Sequence, residues 1–297
     1  MMKQKNLRHQ KVIWNLGMSE KTKSHGRLAI RPSLKPRALM TDTPELQNAW
    51  TVKVITLFPE AFPGVLDRSL TGKALQEGLW QLQTIELRGF GLGKHKDVDH
   101  PPAGGGAGMV LKADVVGPAL EDARRGTPMD PKQWPVIYMS PRGKQLTQSM
   151  VQSWSEAKGM TILCGRFEGV DERVLEEFNV EEISLGDFVL TGGEVAAQAL
   201  IDATVRLIPN VLGNQESTKD ESHSNGLLEH PQYTKPAEWN GREIPKVLLS
   251  GHHENVKEWR AEMSERITKE RRPDLWEKYS KLNKHKIDET LTKRRKF

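Results

Sequence analysis

Between residues 50 and 208 short apolar runs alternate with amphipathic stretches, and this pattern restricts the chain to few architectures. Strand-like runs fall at 52–58, 82–87, 135–140, 160–164 and 180–185. Helix-like segments fall between or after them, at 65–77, 113–124, 147–157, 171–178 and 193–207. Such alternation predicts an α/β domain with a largely parallel sheet. Every apolar run falls far short of the roughly 20 residues of a membrane-spanning helix, so no membrane partner is expected. A single cysteine, Cys164, excludes a disulfide scaffold and any multi-cysteine zinc site, and fits a reducing cytoplasm.

The net charge of +5 hides a strong asymmetry. Residues 1–39 hold ten Lys or Arg against one acid, Glu20, and 242–297 hold sixteen basic against ten acidic residues. The middle is therefore acidic, flanked by two basic ends. The first 39 residues lack apolar periodicity and read as disordered or loosely attached. A transit peptide shares that composition. Met18 and Met40 are alternative starts, and the expectation is that this part is dispensable for activity. The predicted layout is a basic extension over 1–49, an α/β domain over 50–208, a polar segment over 209–236 and a charged, helix-forming region over 237–297. The polar segment is too long for an ordinary connection, so it is a linker or a functional loop.

Nucleotide motifs fail on their own spacing. Thr71-Gly72-Lys73 has Asp67 where a phosphate loop needs its first glycine, and no G-x-G-x-x-G follows a strand. No G-x-S-x-G supplies a serine nucleophile, and His252-His253-Glu254 lacks metal-ligand spacing. What remains is three glycine loops, each at the predicted carboxyl end of a strand: SPRGK (140–144), CGRFEGVDER (164–173) and SLGDFVLTGGE (184–194). Ligands of open α/β sheets bind at those ends, and glycines let backbone groups approach closely. A pocket read mostly by backbone suits an adenosine moiety without a phosphate motif. Arg166, Glu168, Asp171, Glu172, Arg173, Asp187 and Glu194 cluster in the same loops. Taken singly each reads as a solvated charge or a helix cap, with Asp171 a plausible N-cap.

The strings VITLFPEAF, KHKDVDHPPAGGGAGMVLK, VIYMSPRGK, CGRFEGVDER, SLGDFVLTGGE, DATVRLIPNVLG, GLLEHPQYTKP and VLLSGHHENVKEWR run in order between about residue 52 and residue 279. Together they resemble the bacterial tRNA (guanine-N1)-methyltransferases, which act at tRNA position 37 beside the anticodon. The resemblance implies a SPOUT-type fold: a mostly parallel α/β sheet with a C-terminal trefoil knot, followed by a small all-α domain that grips tRNA. It implies a cytoplasmic homodimer with active sites at the subunit interface, S-adenosylmethionine as methyl donor, and a Mg2+ requirement that no motif here explains. By position, Tyr138, Met139, Ser140, Pro141, Gly143, Gly165, Glu168, Gly169, Ser184, Leu185, Gly186, Leu190, Gly192 and Gly193 resemble donor-site positions. The alternative keeps the fold and the chemistry but takes another RNA guanine.

The resemblance also implies two catalytic residues. Guanine N1 carries a proton at neutral pH, so attack on a methyl group needs a base for that proton and a cation for the charge growing on O6. The cation falls at Arg206. The base falls in the polar segment, where the family commonly has aspartate and this chain has Glu221 with Asp220 beside it. Glu221 is preferred, and a one-residue register change assigns the role to Asp220. Arg266, Lys269, Arg271 and Arg272 are the expected phosphate contacts.

Overall fold

The computed structural model describes residues 49–213, 221–223 and 225–283. The expectations for residues 1–48 and for Asp220 lie outside these.

In chain order the first part runs β1 (Trp50–Thr56), α1 (Ser69–Gln76), β2 (Trp80–Glu86), β3 (Asp99–His100), β4 (Val110–Leu111), α2 (Ala113–Arg124), β5 (Val136–Gln145), α3 (Gln148–Ser155), β6 (Gly159–Cys164), α4 (Glu172–Glu177), β7 (Glu181–Ser184) and α5 (Glu194–Val205). Five of these strands form one sheet in the order β2-β1-β6-β5-β7, and every pairing in it is parallel. β3 and β4 form a separate antiparallel pair. Each element of the large sheet coincides with a predicted apolar run to within a few residues, as a parallel sheet buried on both faces requires.

Both faces of the sheet are covered. Val52, Val54, Ile137, Met160 and Ile162 pack with Trp80, Leu200 and Ile201 in one cluster. Ile55 and Leu163, alternate residues on the same strands, turn to the other face and meet Leu111, Val115, Leu120 and Val174. β6 is buried along its whole length. Each fully buried large side chain contributes about 1.5–3 kcal/mol relative to exposure. Three buried indoles find acceptors: Trp50 Nε1 donates to Trp154 O at 3.0 Å, Trp80 Nε1 to Thr71 O at 2.9 Å and Trp134 Nε1 to Thr161 Oγ1 at 2.9 Å. Asp171 caps α4 as expected, its carboxylate accepting from Arg173 N.

Two features depart from the sequence reading. β5 does not end at Ser140. It bulges after Met139 and resumes pairing with β7 at Lys144 and Gln145. Gly143 permits this, because a Cβ there would stand against the backbone of Glu182 and Ile183. In the C-terminal part, expected to be helical throughout, β8 (Glu238–Trp239) and β9 (Arg242–Glu243) form a tight hairpin. Its Asn240-Gly241 turn has φ of 51° and 72°, a type I′ signature. Two helices follow, α6 (His253–Arg271) and α7 (Pro273–Leu282), divided where Pro273 opens the second. The described residues of 209–236 form no strand and no α-helix.

Candidate active site

The bulge in β5, the loop after β6 and the loop between β7 and α5 meet at the carboxyl edge of the sheet. They enclose a cavity of about 260 Å³. Tyr138, Met139, Ser140 and Pro141 supply one wall, Gly165, Glu168 and Gly169 a second, and Ser184, Leu185, Leu190, Gly192 and Gly193 a third. Two of the sequence-predicted positions lie off the wall. Gly143 sits in the β5–β7 pairing, and Gly186 is held in a turn where its N–H donates to Ser184 Oγ and its carbonyl accepts from the same hydroxyl.

The glycines matter through close approach. A Cβ on Gly165 would lie 2.5 Å from the Tyr138 ring, and one on Gly193 would lie 2.8 Å from Cys164 Cα. Those distances leave no room for a side chain. Backbone bonds tie the loops: Gly193 N donates to Gly165 O at 3.0 Å, and Glu168 N donates to Met109 O at 2.9 Å. Burial pushes the Tyr138 phenol up to about 12, so it stays protonated.

Glu194 is not a solvated charge, contrary to the sequence reading. It is 4 % exposed at the start of α5. Its Oε1 accepts from Thr56 Oγ1 at 2.8 Å, and its Oε2 lies 2.8 Å from Arg166 Nη2 in an ion pair with no aligned hydrogen bond. Arg166 also donates from Nη1 to Thr191 O at 3.3 Å and places its guanidinium 4.4 Å from the Phe58 ring centre. One arginine thus joins the ends of β1 and β6 to the loop before α5. The sequence groups Arg166 and Glu194 among the charges of the glycine loops, but an arginine and a glutamate 28 positions apart carry no local pattern that pairs them.

Four apolar side chains stand at the cavity and remain exposed: Phe167, Phe188, Val189 and Leu190. Phe167 has φ of 59°, the left-handed region that a bulky residue seldom occupies. None of the four but Leu190 was anticipated, although all lie inside the singled-out glycine strings.

Arg206 follows α5 directly and lies outside the cavity wall. The polar segment returns to it: Arg206 Nη1 donates to Glu221 Oε2 at 2.6 Å and Nη2 to Glu221 Oε1 at 2.5 Å. Both side chains are about 30 % exposed. The guanidinium's hydrogen bonds hold the Glu221 carboxyl below the usual glutamate range, and Glu221 in turn raises Arg206. The two sequence-predicted catalytic residues therefore touch, although fifteen positions separate them.

Among the described residues no group of three or more His, Cys, Asp or Glu is placed to hold a metal ion. No described helix is long and apolar enough to cross a membrane.

Comparison with known proteins places this arrangement. Residues 50–278 match the family model described as tRNA (Guanine-1)-methyltransferase TrmD. A tRNA (guanine-N(1)-)-methyltransferase of Ruegeria sp. (strain TM1040) is 67 % identical over 240 residues, covering 81 % of this chain and 97 % of that protein. Proteins of the same name from Cereibacter sphaeroides (strain KD131 / KCTC 12085) and Brucella abortus (strain S19) are 65 % and 56 % identical over 234 and 249 residues. These cover 79 % and 84 % of this chain, and 94 % and 99 % of the respective relatives. With three quarters of its length inside one family model and such identities to full-length relatives, the chain belongs to the tRNA (guanine-N1)-methyltransferase family.

Proposed function

We propose that this chain transfers a methyl group from S-adenosylmethionine to N1 of the guanine at tRNA position 37. The observation that carries this reading beyond family membership is the Arg206–Glu221 pair, which puts a carboxylate and a guanidinium together beside the end of α5. S-adenosylmethionine suits the glycine-lined cavity, where backbone groups and the protonated Tyr138 hydroxyl read an adenosine and where the two bordering arginines, Arg142 and Arg166, are already engaged by Glu172, Glu182 and Glu194. When bound, it supplies an activated methyl group on a sulfonium leaving group.

The protein's own residues do the rest. Glu221 accepts the N1 proton, and the freed electron pair attacks the methyl carbon. Arg206 donates to O6 as negative charge accumulates there, a contribution that fixed charge makes more cheaply than water. The three loops would hold the donor and Arg206 with Glu221 would orient the guanine, so that the reacting atoms meet at the roughly 3–3.5 Å at which orientation lowers a barrier by several kcal/mol. The alternative base is Asp220, which takes the role in place of Glu221 if the register shifts by one residue. The resemblance also implies Mg2+. The described residues offer it no ligand cluster, and no step here runs through it.

The reading includes a trefoil knot, which the resemblance implies; the Arg166–Gly192 bridge and the Gly193–Gly165 bond bring together the two loops it would involve. It includes a homodimer with its active site at the subunit interface. Two facts support this: the exposed apolar side chains around the cavity, of a kind that marks interfaces, and the position of Arg206 and Glu221 off the cavity wall. It assigns 50–208 to donor binding, 209–236 to the catalytic linker and 237–297 to tRNA binding, with Arg266, Lys269, Arg271 and Arg272 on phosphates. It places the enzyme in the cytoplasm, where its substrate is made.

The test is transfer of label from methyl-labelled S-adenosylmethionine to two unmodified tRNA transcripts that differ only at position 37. The expected product is N1-methylguanosine from the guanine transcript and none from the other. Label on both moves the activity to the alternative RNA guanine, and label at another ring atom of guanine 37 overturns the assignment to N1.

A further inference from the structure

A second cavity, of about 290 Å³, lies in the C-terminal part between the 230–235 segment and α6. Its wall combines three rings, two cations and an apolar floor. The Tyr233 ring stands edge-on to Trp259 at 61° and 6.1 Å between centres, and the His230 ring is tilted against the same indole at 6.5 Å. Lys235 and Arg260 border it, and Leu248 lies in its floor. Among the described residues no carboxylate lines it. This is unusual for a chain with 39 acids, whose α6 alone carries Glu254, Glu258, Glu262, Glu265 and Glu270.

An aromatic cluster that served only packing would be closed over. Here Tyr233 is 48 % exposed, and both cations are exposed at the rim. Rings beside two positive charges, with no carboxylate in the lining and the nearby Glu229 engaged by Gln232, match one ligand chemistry well: a planar base joined to a phosphodiester. The base stacks on the rings and the phosphate meets the cations. The cavity is also coupled to the segment that bears Glu221. Ser222 Oγ accepts from Glu229 N at 3.0 Å, His223 N donates to Leu227 O at 2.8 Å, and Leu228 N donates to Thr268 Oγ1 of α6 at 2.8 Å. Ser222, His223 and residues 225–229 are thereby tied together between the carboxylate and the rings.

We infer that this cavity takes one unpaired nucleotide of the RNA substrate, its base against Trp259 and Tyr233 and its phosphate against Lys235 and Arg260. The inference rests on the tRNA reading above and adds a recognition site to it. Occupancy would hold Ser222 and His223, and with them Glu221, in register with the bound RNA.

The experiment uses the full chain and an unmodified tRNA transcript with guanine at position 37. Equilibrium binding is measured over a salt series for wild type, Trp259→Leu, Trp259→Phe, Tyr233→Leu and the Lys235→Gln/Arg260→Gln pair. Loss of a stacking ring weakens binding about five- to a hundredfold, so Trp259→Leu and Tyr233→Leu are expected in that range, with Trp259→Phe within about threefold of wild type. The charge pair is expected to reduce the slope of log K against log salt by about one per cation. Donor affinity holds in all of them, because the donor cavity at the carboxyl edge of the sheet is lined by other residues. Wild-type affinity and salt slope in the Tyr233 and charge variants overturn the inference. So does a Trp259→Phe loss equal to that of Trp259→Leu, which marks a packing role. If wild type methylates tRNA while the variants bind like it, only this inference falls; if wild type neither binds nor methylates tRNA, the functional reading falls as well.

Discussion

Arg206 and Glu221 form a two-pronged ion pair in which each guanidinium Nη meets its own carboxylate oxygen, at 2.6 and 2.5 Å. Charge-assisted pairs of this kind are the strong ones among protein hydrogen bonds. In the absence of guanine, the group assigned to take a proton is thus held by the group assigned to stabilise O6. The pair keeps Glu221 ionised and prevents either charge from facing solvent alone. Guanine must part them, and its N1–H and O6 offer a donor to the carboxylate and an acceptor to the guanidinium, the same complementarity each finds in the other.

This pairing fixes a pH dependence. Arg206 depresses the folded-state Glu221 value below its ordinary one. The pair's contribution to stability is therefore complete above the ordinary glutamate range and is lost as pH falls through the folded value. In kcat/KM, which reports the free enzyme, the acid limb belonging to Glu221 lies below the usual glutamate position. Arg206→Ala is expected to raise that limb toward the ordinary value while lowering the plateau. A limb that stays in place in the variant assigns it to another group.

The Arg166–Glu194 pair is expected to govern the donor cavity. Breaking a buried pair by removing one partner costs about 3–5 kcal/mol, and a chain of this size loses about 2–4 °C of Tm per kcal/mol. Glu194→Ala is therefore expected to melt roughly 10 °C below wild type and to bind S-adenosylmethionine at least about tenfold more weakly. Calorimetry and donor titration check both. Unchanged donor affinity in a folded variant removes Arg166 from the organisation of the cavity.

Close approach at Gly193 makes a sharper case. A Cβ there would press on the Cα of Cys164, a backbone atom that no rotamer change can move. Gly193→Ala is expected to weaken donor binding by at least about tenfold, the scale of overpacking at 1–3 kcal/mol. Gly89→Ala, where a Cβ would meet nothing within 4 Å, is the matched control and is expected to be silent. Equal donor affinity in the two variants contradicts the backbone-read cavity.

The large sheet was legible because burial on both faces forces unbroken apolar runs, and 159–164 is such a run, buried throughout. The cavity was legible for a related reason: glycines at strand ends mark close approaches, and most of the singled-out ones line it. The β5 bulge was not, since SPRGK reads as a turn and only the pairing of Lys144 and Gln145 with Ile183 and Ser184 of β7 reveals a strand. Nor was the burial of Glu194, whose partners Thr56 and Arg166 come from two other parts of the chain. The Arg206–Glu221 contact was beyond spacing rules altogether, because no helical or strand period relates two positions fifteen residues apart across the polar segment. Resemblance named both residues, but not that they meet.

The central claim is that Glu221 takes the proton from guanine N1. Single-turnover methyl transfer to tRNA, measured beside donor affinity for Glu221→Gln and Asp220→Asn, tests it most directly. Glu221→Gln is expected to slow transfer by about 10²–10⁴-fold, the worth of a general base, with donor affinity within about twofold of wild type and Asp220→Asn close to normal. A silent Glu221→Gln beside a crippled Asp220→Asn would contradict the claim and move the base one residue back.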